Sequence, residues 1–226
     1  MKLSDAILSE LKGIESNLET YRKKGLKLFA TSSFQTHSIP LLHILSERAP
    51  DIPVYYMNTG FLFPKTLRFK DELQARFQLN FVGLESEIPK SNQRDGFGNF
   101  YFTSEPDYCC HLNKIQPLEP ILAMHDVWIN GIRADQNANR RNMQVEQEAK
   151  HGSLRYHPML NWTSKMIWEY RKSHDLPEHP MEKEGYLSIG CEPCTNKYLE
   201  TQNERDGRWR GLKKDECGLH TDLAGK

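Results

Sequence analysis

The sequence predicts an α/β fold: a parallel twisted sheet flanked by helices, with an irregular C-terminal tail that carries cysteine. Three observations predict it. Short runs rich in β-branched and aromatic residues alternate with longer segments of helical period, the order that builds parallel sheets. The order strand, loop, helix, strand repeats, as where Leu26–Thr31 runs into the polar loop Ser32–Ser38 and then a helix. From about Pro177 onward the periodicity fades, and glycine, charge and cysteine dominate.

Leu3, Ile7, Leu8, Leu11, Ile14, Leu18 and Tyr21 recur at helical spacing, and Gly25 stops that helix. Leu26–Thr31 reads as a strand and runs into the polar loop Ser32–Ser38. A helix through Leu41, Leu42, Ile44 and Leu45 follows, then a strand over Ile52–Met57 ending in Asn58-Thr59-Gly60. Lys65–Phe77 is a helix and Phe81–Leu84 a third strand. Residues 85–108 have little periodicity and read as a loop. Lys114–Met124 is helical, limited by Pro117 and Pro120. Asp126–Ile132 and Leu154–Leu160 are the fourth and fifth strands. Trp162–His174 is a helix capped by Thr163. Loops at the carboxyl ends of the strands should form the site, with the tail lying over it.

The 226 residues suffice for one domain, read as 1–226, with 177–226 as a functional tail inside it. Zero formal net charge and a pI near 7.1 give no basis for bulk nucleic-acid binding. Mean hydropathy is −0.70, and no apolar run approaches membrane-spanning length. Met1–Asp5 shows no signal-peptide pattern. The expectation is a soluble cytoplasmic protein with reduced thiols, so its five cysteines imply metal binding or catalysis before disulfides.

Cys109 and Cys110 are adjacent, and Cys191 and Cys194 form a Cys-x-x-Cys pair, which together make four thiols suited to one metal centre. Adjacent residues on a regular strand face opposite ways, so both reach one centre only from a helix start or an irregular turn. A cube with ligand positions spread over several corners suits that pair better than a single zinc ion, which stays as the alternative. Cys217 is left over, next to Gly218 and near His220, and is a candidate nucleophile. Lys213, Lys214 and His220 favour its thiolate, while Glu216 opposes it.

Lys114 lies about one helical turn after Cys110, Arg133 and Arg140 follow the fourth strand, and Arg205 and Arg208 flank Asp206-Gly207. Arginine grips phosphate and sulfate oxygens bidentately. The Ser32–Ser38 loop offers hydroxyls and amides to an anion near a helix N-terminus, but it lacks the glycines of a P-loop. The remaining histidines show no paired metal spacing, and Trp128, Trp162 and Trp168 fit core positions.

These motifs resemble the sulfonucleotide reductases, specifically the iron–sulfur branch that reduces adenosine 5′-phosphosulfate. The matching segments are Cys109-Cys110 with Lys114, Asn58-Thr59-Gly60 with Leu62-Phe63-Pro64-Lys65-Thr66, Gly131-Ile132-Arg133, Ser188–Cys194, Glu204–Trp209 and Glu216–His220. The resemblance implies an adenine-nucleotide α-hydrolase-like fold and a 4Fe-4S cluster on Cys109, Cys110, Cys191 and Cys194. It implies Cys217 as nucleophile, with Lys114, Arg133, Arg205, Arg208 and His220 around the sulfate and phosphate. Ser32 and Ser33 fall in the nucleotide loop, and Thr59 and Gly60 near the ribose or base. The implied reaction is thioredoxin- or glutaredoxin-dependent reduction to sulfite and AMP in sulfate assimilation and cysteine biosynthesis. This chain departs from the pattern in a loop without glycine after the first strand, and in Asn58 where aspartate is common. The alternatives are the same reaction on the 3′-phosphorylated nucleotide, an ATP-pyrophosphatase, or an iron–sulfur sensor. The pyrophosphatase would need a glycine-rich loop with a carboxylate, which Ser32–Ser38 does not supply.

Overall fold

The computed structural model describes residues 2–197, 207–209, 214, 216, 218–220 and 223. Its six strands are β1 (Leu28–Thr31), β2 (Val54–Met57), β3 (Phe81–Leu84), β4 (Val127–Asn130), β5 (Glu146–Glu148) and β6 (Leu154–Tyr156), in the order β3-β2-β1-β4-β6-β5. All neighbours pair in parallel except β5, which runs antiparallel to β6 at the edge. The chain builds outward from β1 through β2 to β3, then crosses to β4 on the other side of β1. That reversal opens a crevice beyond the carboxyl ends of β1 and β4, where Thr31 and Asn130 stand in register.

The helices are α1 (Asp5–Lys23), α2 (Ile39–Arg48), α3 (Pro64–Phe77), α4 (Tyr101–Ser104), α5 (Pro106–Cys110), α6 (Gln116–Met124), α7 (Ala138–Arg141) and α8 (Ser164–Ser173). Side chains alternate along a strand, so each sheet face carries its own core. On one face Ala30, Val54, Val127 and Ile129 meet Ile14 and Leu18 of α1, Leu42 and Leu45 of α2, Phe69 and Leu73 of α3, and Ile167 and Tyr170 of α8. On the other, Phe29 and Trp128 meet Ile115, Leu118 and Leu122, with Leu219 and Leu223 of the C-terminal segment closing the edge.

The strands and long helices lie where hydrophobic period placed them, and Thr163 caps α8 by accepting from the Met166 amide at 3.2 Å. Five features differ. The supposed loop at 85–108 holds α4 and most of α5, whose four or five residues are too few to register a period. Between α5 and α6 the chain widens into a π turn over His111–Ile115, so the helical stretch begins well before Lys114. The Leu154 strand ends at Tyr156, two residues before Pro158, and β5, being Glu146-Gln147-Glu148, has no apolar alternation to announce it. Trp128 and Trp162 are buried as expected, whereas Trp168 is 51% exposed on α8.

His179 ties the start of the C-terminal region to the sheet. It is fully buried. Its amide donates to Thr36 Oγ1 at 2.9 Å, its Nδ1 accepts from the Met181 amide at 3.2 Å, and Nε2 lies 3.0 Å from Thr66 Oγ1. Nδ1 as acceptor makes Nε2 the protonated nitrogen of a neutral ring, donating to Thr66. Burial pushes the pKa of His179 down from 6.5 to about 4. The unfolded chain therefore takes up this proton first, and the stability held above pH 6.5 is lost as pH falls towards 4. We expect His179→Gln, whose amide also accepts at one atom and donates at the other, to lose less Tm than the wild type between pH 7 and 5. Parallel pH profiles of thermal unfolding would contradict this.

Candidate active site

A cavity of about 160 Å³ occupies the crevice at the strand ends. Thr31, Ser32, Ser33, Gln35, His37 and Ser38 line it from the β1–α2 connection, and Asn130, Gly131 and Ile132 from the end of β4. The loop after β1 is held by its own polar groups. Ser32 Oγ accepts from the Phe34 amide at 3.1 Å, and Ser33 Oγ from Gln35 Nε2 at 3.1 Å. Gln35 Oε1 accepts from the Ile189 amide at 2.8 Å, which binds the C-terminal region to this loop. Phe34 takes a left-handed φ of 57° where the sequence has no glycine. Burial of its ring against Tyr56 and Phe81 offsets the strain of that conformation.

All four paired cysteines border a second, small cavity, together with Thr59, Phe61, Phe102, Asn113 and Lys114. Cys109 and Cys110 close α5, with the π turn directly after them, which is how neighbouring residues come to face one space. Cys191 and Cys194 arrive on a short turn pinned by an isolated bridge between Leu62 and Cys191 and by the Glu192 amide donating to Phe61 O at 2.7 Å. Burial, followed by the neighbouring thiols, pushes the Cys109 thiol up to about 12, with Lys114 opposing the shift. Four buried thiols around one space are suited to a metal centre, because ligation as thiolates offsets the cost of ionising them away from water. Among the described residues no three Cys, His, Asp or Glu side chains are placed to hold a single ion. Hydrogen-bond donors stand behind the sulfurs. Thr59 Oγ1 accepts from the Phe61 amide at 3.2 Å and lies 3.3 Å from Cys191 Sγ. Asn113 Nδ2 lies 3.6 Å from Cys109 Sγ, and Lys214 hydrogen-bonds both Asp107 and Cys110.

Thr59, Lys114 and Cys191 line both cavities and so form the wall between them. Lys114, Arg140 and Arg208 bring positive charge to the larger one. Arg208 is buried, donates from Nε to Cys194 O at 3.2 Å, and stacks on Trp209 with 4.5 Å to the ring centroid. Gly190 permits this, since a Cβ there would lie 2.4 Å from the guanidinium. Arg140 meets Glu216 through Nε–Oε2 at 2.9 Å and Nη2–Oε1 at 3.1 Å, and Asn137 Nδ2 adds a bond to Oε2 at 3.0 Å. Both partners are buried. Glu216 is the one carboxylate lining this cavity among the described residues, and it is already neutralised.

Of the expected site residues, Ser32, Ser33, Thr59, Lys114 and Arg208 line the larger cavity and the four paired cysteines share the smaller one. Arg133 does not line either. Its Nε pairs with Asp135 at 2.9 Å and its Nη2 donates to Ser164 Oγ at 3.0 Å, so it joins the loop after β4 to the start of α8. Arg140 stands at the cavity instead. Gly60 is exposed, turns the chain at φ 71°, and gives its carbonyl to Lys90 Nζ at 3.0 Å. Arg205 and Cys217 lie outside the described residues, as does the His220 side chain, although Gly218–His220 forms a short turn. Sequence reasoning missed Asn130 and Gln35, and it read Glu216 only as a charge opposing the thiolate.

The sequence profile described as the phosphoadenosine phosphosulfate reductase domain matches residues 27–197. The chain is 36% identical over 202 residues to an adenosine 5′-phosphosulfate reductase of Halalkalibacterium halodurans, covering 88% of this chain and 87% of the relative. It is 38% identical over 208 residues to a phosphoadenosine 5′-phosphosulfate reductase of Gloeobacter violaceus, covering 89% and 86%. Among solved structures, the phosphoadenylyl-sulfate reductase of Candida auris superposes with a TM-score of 0.67 at 18% identity, covering 85% of this chain and 97% of that one. The FMN adenylyltransferase of Candida glabrata gives 0.59 at 15%, covering 92% and 74%, and shares the fold.

Breaking a buried ion pair on one side strands the other charge, at about 3–5 kcal/mol. Arg140→Met should therefore release the segment around Glu216, seen as faster amide exchange over residues 214–223. Glu216→Gln, which keeps hydrogen-bonding capacity, should have a smaller effect. Unchanged exchange in Arg140→Met would show that the pair does not hold this segment.

Proposed function

Since the chain belongs to the phosphoadenosine phosphosulfate reductase domain family, the sulfonucleotide reductases, we propose that it reduces adenosine 5′-phosphosulfate to sulfite and AMP in sulfate assimilation. The observation that carries the choice of the unphosphorylated nucleotide is the meeting of four buried thiols at one small cavity, since the iron–sulfur branch the sequence resembles uses that substrate. Cys109, Cys110, Cys191 and Cys194 would hold a 4Fe-4S cluster. Bound there, it supplies a fixed charge beside the reaction cavity and locks the thiolates in place.

The nucleotide enters the crevice at the ends of β1 and β4, with its phosphosulfate towards Lys114 and Arg208, while Arg140 holds Glu216 at the cavity wall. Lys114 and Arg208 offset the charge of the sulfate and of the departing phosphate. The Cys217 thiolate attacks the sulfonate sulfur, forming an S–S bond as the S–O bond to phosphate breaks and AMP leaves with the electron pair. The product on the enzyme is S-sulfocysteine. A dithiol of thioredoxin or glutaredoxin type then attacks the Cys217 sulfur. Sulfite leaves with the electron pair, a mixed disulfide forms, and the second thiol resolves it, freeing Cys217. His220, three residues on, serves the thiolate or the sulfate. We read residues 1–226 as one catalytic domain in which 177–226 closes the site, and place it in the cytoplasm, where the reductant is available. Among the described residues no helix is long and apolar enough to cross a membrane.

Sulfite release by anaerobically purified protein with thioredoxin tests the reading. Faster release from adenosine 5′-phosphosulfate than from its 3′-phosphorylated form is expected, and the reverse order reassigns the substrate. Cys217→Ser should abolish turnover and leave the visible absorption of about four irons per chain unchanged. Normal turnover in that variant would sink the nucleophile assignment.

A further inference from the structure

Asn130 ends β4 at the crevice and lines the larger cavity. It is 3% exposed, and neither Oδ1 nor Nδ2 has a hydrogen-bond partner among the described residues. Its polar neighbours differ. Thr31, in register on β1, accepts from Trp128 Nε1 at 2.8 Å, and Ser32, Ser33 and Gln35 are committed to holding their loop. Burying a carboxamide with both ends unmatched is costly, and native folds rarely keep such a group without a use for it.

Strand alternation says which way it points. Ile129 packs on the face covered by α2, and Trp128 on the face covered by Ile115 and Leu118, so Asn130 shares the face of Trp128. Lys114 on the π turn and Leu219 of the C-terminal segment border the cavity from that face. Lys114, the cation on that face, thus brings the anionic end of a ligand beside Asn130. Phosphate and sulfate oxygens only accept hydrogen bonds, so the amide nitrogen is the atom that meets them.

We propose that Asn130 is a substrate-orienting residue whose Nδ2 donates to the phosphosulfate of the nucleotide, fixing its direction without adding charge. The inference rests on the sulfonucleotide reading given above.

Asn130→Leu, Asn130→Asp and Asn130→Ala test it, with kcat/KM for sulfite release, calorimetric AMP binding and Tm of the nucleotide-free protein measured for each. Leucine matches asparagine in shape and removes the unmatched polar atoms, so its Tm should equal or exceed that of the wild type. Its kcat/KM should fall about ten- to a hundred-fold, the size expected for a lost hydrogen bond to a charged group. Aspartate should fall further, because its charge repels the anion. Three results would overturn the proposal: kcat/KM within two-fold of wild type in Asn130→Leu, a clear loss of Tm in that variant, or aspartate as active as leucine, the signature of a ribose hydroxyl rather than an anion. If leucine does not fold, Asn130→Ala carries the same comparison. Should the wild type bind AMP but release no sulfite, the reductase reading fails. AMP binding then decides the role of Asn130 separately: weakening in Asn130→Leu supports it and unchanged affinity overturns it.

Discussion

Four buried thiols crowded around one small space are the constraint on which the site depends. Burial, and then the neighbouring thiols, push Cys109 up, and on the proposed reading a metal centre among the four would offset that cost by taking them as thiolates. Meeting that constraint brings two segments far apart in sequence to the same place. The helix ending in Cys109-Cys110 opens into a π turn, and the Cys191–Cys194 turn is fastened to Phe61 and Leu62 just before α3. Because Thr59, Lys114 and Cys191 line both cavities, whatever fixes the cysteines also fixes one wall of the crevice at the strand ends.

The same fastening carries the C-terminal segment over the crevice. Cys194 O receives Arg208 Nε and the Trp209 amide, Lys214 reaches back to Asp107 on α5, and Glu216 is gripped by Arg140 and Asn137. Each of these contacts joins Arg208, Trp209, Lys214 or Glu216 to a segment bordering one of the two cavities. The charges follow a similar logic. Lys114, Arg140 and Arg208 converge on the larger cavity, and Arg140 and Glu216, the carboxylate that lines it among the described residues, neutralise each other, so Lys114 and Arg208 carry the attraction for a dianionic ligand.

The sequence made some of this legible and hid the rest for identifiable reasons. Strands β1 and β4 are buried apolar runs, β2 and β3 are short apolar and aromatic runs bounded by polar residues, and the four cysteines stand out by residue type and spacing. The stretch before Cys109 was opaque because α4 and α5 are shorter than the window over which a helical period is measured. The choice between Arg133 and Arg140 was opaque for another reason. Both follow β4, and what turns Arg133 away is Asp135, a local partner that also receives the Ser164 amide at the start of α8. Side-chain partners two residues away leave no periodic trace. Asn130 carried a faint signal, a polar residue ending the buried run Val127-Trp128-Ile129, which reads equally well as an ordinary strand end.

The fold alone does not choose the chemistry. An FMN adenylyltransferase shares this arrangement of sheet and helices at 15% identity, so the crevice at the strand ends is common ground. What a chain adds around that crevice decides which bond is broken. Transfer at phosphorus with a metal ion needs carboxylates facing the phosphates, and here the described residues offer Glu216 alone, already spent on Arg140. Attack at sulfur by a thiol needs fixed cations, a dry wall and a nucleophile delivered from outside the sheet. The wall shared with the cysteine cavity supplies the first two through Lys114, Thr59 and Cys191, and the segment held by Glu216 carries Cys217 as its next residue. On the proposed reading the sheet binds the nucleotide, and the C-terminal segment that carries Cys217 supplies the thiol that makes the chemistry a reduction.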